Sequence, residues 1–159
     1  MAIYLKFGNI NGPVTTEGFP KWIELQSFKF KATRKIGTGA RSAISREHNE
    51  PSFDEVEIKK LTDVASPKLF LDSVAGKLDN KVIIKFTTTT KGKVETYLTF
   101  QFEDTGISHY EMFSGDGGMP TEILQLNYIR MSKTFTGMDP GISGSPETVG
   151  YDLGQMKTT

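Results

Sequence analysis

Apolar and polar residues alternate along most of this chain, the two-residue period of strands buried on one face. Ile3, Leu5 and Phe7 begin the pattern, with Lys6 between the last two. Residues 9–20 carry three Gly/Pro punctuation points and predict a loop. Residues 22–31 predict a second strand whose phase changes: Ile23 and Leu25 share one parity, Phe28 and Phe30 the other. A bulge or bend near Gln26-Ser27 reconciles them, and beyond it Ser27, Lys29 and Lys31 point away from the core. Residues 53–61 are strand-like, with Val56 and Ile58 set against Glu55, Glu57 and Lys59.

One segment changes period. Ser66 suits an N-cap, Pro67 the first helical position and Gly76 the stop. Between them Phe70, Leu71 and Val74 fall at helical spacing and predict the buried face, with Lys68 and Asp72 outside. Strand alternation then resumes over 81–90 and 94–103, meeting at the hairpin signal Lys91-Gly92-Lys93. Residues 107–113 predict another strand and 114–120 a turn-rich loop. Residues 121–135 predict one bent strand, whose parity moves from Leu124, Leu126 and Tyr128 to Ile129, Met131 and Phe135. The tail over 137–146 is rich in Gly and Pro, and 148–153 predict a last short strand. The sum is about eight strands and one helix without βαβ alternation. It predicts a mainly β fold, an antiparallel barrel or two-sheet sandwich with one flanking helix and an extended loop.

At 159 residues the chain has the length of one domain, expected to run over 1–159. There is no cysteine, which excludes a disulfide scaffold, a thiolate metal site and a Cys nucleophile. No segment is apolar enough to span a bilayer. The first residues show no basic region, long apolar run or small-residue cleavage site. The expectation is synthesis in the cytoplasm without the general secretory route, leaving export by a dedicated machine open.

Catalytic chemistry is thinly represented. The two histidines, His48 in the long loop and His109 in a strand at the parity of Ile107 and Phe113, are far apart and lack zinc spacing. No nucleophile elbow, phosphate-binding P-loop or dinucleotide fingerprint occurs. Residues 114–118 (SGDGG) lack the ligand spacing of a calcium loop and read as a turn. The carboxylate pairs Asp54-Glu55 and Glu103-Asp104 are neighbours on strands, so each pair should point to opposite faces. No catalytic, metal or cofactor residue is assigned, and an enzyme is not expected.

Charge adds more. Lys plus Arg is 19 and Asp plus Glu is 19, which argues against a protein whose whole body binds nucleic acid or membrane. The balance is uneven along the chain. Between Gln26 and Arg46 stand Lys29, Lys31, Arg34, Lys35, Arg41 and Arg46 with no acid. Between Glu47 and Glu57 stand Glu47, Glu50, Asp54, Glu55 and Glu57 with no base. The blocks meet within residues 33–52, which show no sustained period. A structureless stretch of about 20 residues is uncommon inside a compact domain. A solvated loop with local ion pairs, a phosphate-binding patch opposed by the acidic block, and contact between copies of the chain all fit.

Several segments together resemble the Hcp family, the tube-forming proteins of bacterial type VI secretion systems. They are Ile3-Tyr4-Leu5-Lys6-Phe7 with Ile10-Asn11-Gly12, and Trp22-Ile23-Glu24-Leu25 with Phe28 and Phe30. Asp63-Val64-Ala65-Ser66-Pro67-Lys68-Leu69 follows, then Tyr97-Leu98 with Glu103-Asp104. Pro120-Thr121-Glu122, Leu126-Asn127-Tyr128 and a closing Gly150-Tyr151-Asp152-Leu153 complete the set. Phe30 and Tyr151 stand where tryptophan is frequent in that family, and both keep an aromatic ring.

The resemblance implies a barrel-like fold shared with phage tail tube proteins. It implies homohexameric rings stacked into a tube, driven out by a contractile sheath and carrying effectors in the channel. Partners would be other copies, the spike protein, the sheath and effectors, with no nucleic acid, membrane or cofactor. The chain would leave the cell through that apparatus. On this reading Arg34, Lys35, Arg41, Arg46, Glu47 and Glu50 lie on an arm that contacts a neighbouring subunit or ring, and Ser27, Lys29 and Lys31 face the channel. A phage-like tail tube protein is the neighbouring alternative. A single-stranded nucleic-acid-binding barrel, using the basic block with Phe28 and Tyr110, is the alternative of another class.

Overall fold

A computed structural model describes residues 1–37, 50–137 and 145–159. In chain order the elements are β1 (Ala2–Phe7), β2 (Ile23–Leu25), β3 (Ser27–Lys29), β4 (Ala32–Arg34), β5 (Pro51–Phe53) and β6 (Val56–Leu61). They continue with α1 (Ser66–Ala75), β7 (Asn80–Thr90), β8 (Lys93–Phe113), β9 (Thr121–Asn127), β10 (Arg130–Phe135), β11 (Glu147–Asp152) and β12 (Lys157–Thr158).

Two corners shape the fold. At the first, the phase change at Gln26 splits one expected strand in two: β2 pairs with β1, whereas β3 pairs with β6. The Gln26 N–H donates to the Lys59 carbonyl at 2.7 Å, which pins the corner. At the second, two expected strands are one, the 21-residue β8. Its first part pairs with β7 and β10, and its last part, from Gly106 on, with β9. Asp104 takes a left-handed φ of 50° at this corner, and Gly106 sits where a Cβ would collide with Leu78.

One sheet therefore runs β12-β11-β10-β8-β7-β1-β2 and the other β3-β6-β9-β8, all antiparallel. The chain passes from one to the other at both corners, closing a barrel-like path with β10–β12 as a side wing. Lys91-Gly92 turns from β7 to β8 with φ of 50° and 79°, the left-handed pair a two-residue hairpin turn requires.

Alternation fills the space between the sheets. Leu5, Phe7, Ile23, Leu25, Val82, Ile84, Phe100 and Phe102 come from one sheet, and Val56, Ile58, Leu124 and Leu126 from the other. Phe28 and Phe30 turn inward onto Phe100 at centroid distances of 4.9 and 5.3 Å. The antiparallel fold and its flanking helix match expectation. The strand count is higher because the short strands β4, β5 and β12 are added and because 121–135 also splits, at Tyr128, whose buried hydroxyl donates to the Asp54 carbonyl at 3.1 Å.

The helix overturns two expectations. Ser66 is its first residue rather than the N-cap, a position held by Ala65. Its buried face is Ser66 and Leu69, while Phe70, Leu71 and Val74 are more than half exposed. The inner stripe is tied down by polar groups at both ends. Ser66 is held from the sheet, and Asp72 accepts from the Asn80 amide at 3.3 Å. Burial pushes the Asp72 carboxyl up, against the lowering effect of Asn80. Among the described residues no helix is long and apolar enough to cross a membrane.

Candidate functional site

The sheet β3-β6-β9-β8 has two unlike faces. On the outward face, register aligns Lys29 with Glu57, Glu57 with Gln125, and Gln125 with His109. One pleat along, Ser27 aligns with Lys59, Lys59 with Ile123, and Ile123 with Glu111. Ser27, Lys29 and Lys31 are all exposed there, as the sequence predicts. Lys31 pairs with Asp54 at 3.3 Å, and the two carboxylate oxygens of Glu55 take the Ser108 hydroxyl and the Asn127 amide. Lys29, Lys31, Asp54, Glu55, Glu57, Gln125 and Asn127 border an open groove of about 540 Å³. His109 joins this face, 3.3 Å from Glu111. A bulge after Ile107 removes the parity that the sequence suggests the two share, so Ile107 is buried and His109 is not.

The inward face is apolar except at one end. Lys60 continues the buried row Val56-Ile58, and Glu122 the row Leu126-Leu124, directly opposite each other. Both side chains are fully buried and meet at 2.6 Å. Lys60 also donates to the Leu61 carbonyl at 2.7 Å and to Ser66 Oγ at 3.1 Å, and lies 3.1 Å from Asp63. Ser66 donates to Glu122 at 2.7 Å and accepts the Asp63 N–H, while the Tyr110 hydroxyl donates to the second Glu122 oxygen. Burial alone would raise the Glu122 carboxyl, but Lys60, Ser66 and Tyr110 together hold it below its ordinary range. Burial, reinforced by Glu122, pushes the Tyr110 phenol up.

Ser66 and Lys60 are not a nucleophile and its base. The serine proton points at a carboxylate, and the lysine donates to three acceptors, so it offers no lone pair. The network is a structural pin that fastens α1 to the sheet. The sequence carried its signal in parity: Lys60 stands in step with Val56 and Ile58, and Glu122 with Leu124 and Leu126.

The remaining expected positions divide. Arg34 is exposed in β4 opposite Pro51, which brings it to the same end of the β4–β5 ribbon as Glu50. Lys35 and Glu50 are exposed, and Arg41, Arg46 and Glu47 lie outside the described residues, as does His48. The expected loop over 33–52 thus begins and ends in a two-stranded ribbon. Glu103 and Asp104 do not diverge as neighbouring strand residues should. The left-handed turn at Asp104 lets both meet Arg130, at 2.8 and 2.9 Å. The hydrogen bond from Arg130 holds the Glu103 carboxyl below its ordinary value. Among the described residues no cluster of metal-ligating side chains occurs.

The same sheet has two free edges. Among the described residues β3 pairs only with β6, and the last part of β8 only with β9. Unpaired edges template further pairing unless something blunts or covers them.

Residues 4–135 match the family model described as "Type VI secretion system effector, Hcp". Among solved structures, one described as "Structure of a type six secretion system protein" is 21% identical, covers 99% of both chains and has a TM-score of 0.90. Hcp1 from Salmonella typhimurium is 22% identical over 99% of this chain and 98% of that chain, with a TM-score of 0.77. A type VI secretion system effector from Yersinia pestis is 17% identical over 94% and 98%, with a TM-score of 0.75. No curated protein sequence matches the chain.

Proposed function

The chain belongs to the Hcp family, tube proteins of the type VI secretion system rather than enzymes, and from that premise we propose that six copies close into a ring around a channel lined by the outward face of β3-β6-β9-β8. The single observation that carries this reading is the sheet itself: four antiparallel strands, free at both edges, with one polar face. An even number of antiparallel strands makes β3 run opposite to the last part of β8. A copy rotated about an axis along the strands therefore offers its β3 antiparallel to the β8 edge of its neighbour. With strands about 4.8 Å apart, six such sheets enclose a channel roughly 40 Å across.

Ser27, Lys29 and Lys31 then face that channel, where a wet polar lining tolerates passing protein cargo. The lining mixes Lys29, Lys31 and Lys59 with Glu55, Glu57 and Glu111, which disfavours phosphate backbones and argues against the nucleic-acid-binding barrel. Arg34, Lys35 and Glu50, at one end of the β4–β5 ribbon, then contact the neighbouring subunit or the next ring. Rings stack into a tube that the sheath expels with the spike and effectors, and this carries the chain out of the cell.

Native mass spectrometry tests the reading. The expected particle holds six copies of the 17.7 kDa chain. A monomer at every protein and salt concentration would overturn it.

A further inference from the structure

Asn11 is the only asparagine in the chain that is followed by glycine. Such a pair carries its own modification chemistry. The glycine nitrogen, with no Cβ beside it, can attack the carbonyl carbon of the asparagine side chain. The nitrogen gives up its proton, ammonia leaves, and a succinimide ring closes. Water then opens the ring at either carbonyl. One opening gives aspartate. The other gives isoaspartate, in which the main chain runs through the former side chain and is one methylene longer.

The fold presents one reactant and withholds the other. Asn11 is exposed, and Lys6 Nζ lies 3.4 Å from its Oδ1. That ammonium draws electron density from the amide carbon and eases attack on it. The nucleophile is tied up in a small ribbon. The Gly12 N–H donates to the Lys21 carbonyl at 2.9 Å, the Lys21 N–H to the Val14 carbonyl at 2.8 Å and the Val14 N–H to the Trp22 carbonyl at 3.1 Å. Gly12 packs so tightly that a Cβ there would collide with the Trp22 carbonyl, so its backbone has no room to swing the nitrogen toward the side chain. Phe19, between the two arms of the ribbon in sequence, ties it to β1. It is buried, stacked on Tyr4 at 4.7 Å and edge-on to Trp22 at 5.3 Å.

We propose that Asn11-Gly12 is a site of spontaneous deamidation that this ribbon holds in check, so that Asn11 converts only when residues 8–22 open. A loop opens locally far more often than the whole chain unfolds. Each opening frees the Gly12 nitrogen while the side chain already stands exposed. The aspartate product can close again, with its new carboxylate beside the Lys6 ammonium. The isoaspartate product cannot, because the added methylene moves the Gly12 N–H away from the Lys21 carbonyl where there is no spare room. The site thus writes a permanent record of opening into the chain, whether or not copies assemble, and it consumes only water.

Peptide mass spectrometry tests this on the full chain, incubated at mildly alkaline pH either folded or unfolded in guanidinium chloride. Asn11 should convert at least tenfold faster in the unfolded sample. The ratio of the two rates should match the protection of the Gly12 amide against hydrogen exchange within about threefold, because both processes need the same opening. Aspartate and isoaspartate peptides should both appear, and aspartate alone would mean direct hydrolysis and contradict the succinimide route. Asn11→Gln should remove the conversion at this position. Phe19→Ala leaves Asn11, Gly12 and Lys21 in place and should raise the folded-state rate at least fivefold with circular dichroism unchanged. If that variant does not fold, the exchange comparison on the unmodified chain decides. The proposal fails if the folded chain converts as fast as the unfolded one, or if the unfolded chain leaves Asn11 intact. It fails too if folded Phe19→Ala quickens Gly12 exchange without quickening conversion.

Discussion

Two lysine–glutamate pairs face each other across neighbouring strands of the same sheet, one on each side of it. Lys60 and Glu122 lie opposite on the inward face, fully buried, 2.6 Å apart and bonded further to Ser66, Tyr110, the Leu61 carbonyl and Asp63. Lys29 and Glu57 lie opposite on the outward face, where Lys29 is exposed and forms no ion pair among the described residues. The residue types and the register relation are alike, and only the solvent differs. Inside, an uncompensated charge is expensive, so each partner compels the other and the pair locks α1 to the sheet. Outside, water compensates each charge separately, so the residues are cheap to change and their value lies in what they meet.

Breaking the inner pair should produce the largest effect. Glu122→Leu leaves buried Lys60 with Asp63 as its remaining carboxylate and takes the acceptor from Ser66 and Tyr110, and should cost about 3–5 kcal/mol, read as a loss of urea midpoint. Lys60→Met/Glu122→Leu together should recover most of that loss, because an apolar pair of similar volume suits the site. A double variant as unstable as the single one would show that the network acts through something other than charge.

Acid should act next. Glu122 and Glu103 are both held below the ordinary carboxyl value of 4.5 in the fold. Their contribution is therefore fully present above that value and is lost as pH falls through the lower, folded-state values. The thermal midpoint should be flat from pH 8 to pH 6 and fall below about pH 4.5. Glu122→Gln should flatten that fall, and an unchanged slope would remove Glu122 from the account.

Tyr110→Phe takes one donor from the buried carboxylate and should cost about 1.5 kcal/mol in the same denaturation assay. The smallest effect should come from the outer face. Lys29→Glu should change stability by no more than about 0.5 kcal/mol and leave ring size intact while altering cargo retention. Loss of the ring would place Lys29 in the contact between copies instead.

The legible parts of the fold are those where period and solvent agree. The parity change at Gln26 announced the first corner, and alternation placed Phe28 and Phe30 inward with Ser27, Lys29 and Lys31 outward. The segment match quoted from Ile3 to Leu153 pointed to the family that the fold and the comparison support. The illegible parts are those where polar chemistry overrides hydropathy. Phe70, Leu71 and Val74 read as a buried helix face because nothing in a helical pattern shows that Ser66 and Asp72 are anchored from other elements. The bulge after Ile107 and the left-handed Asp104 are single backbone events, and each reverses the facing of the side chains after it.

A ring closed by β3 and β8 requires the polar face of β3-β6-β9-β8 to line a channel. A Lys29→Cys chain, carrying a gold cluster on its single thiol, tests it by electron microscopy. Six-fold rings with the added density inside the central opening are expected. Rings with the gold on their outer rim, or particles without an opening, would contradict it.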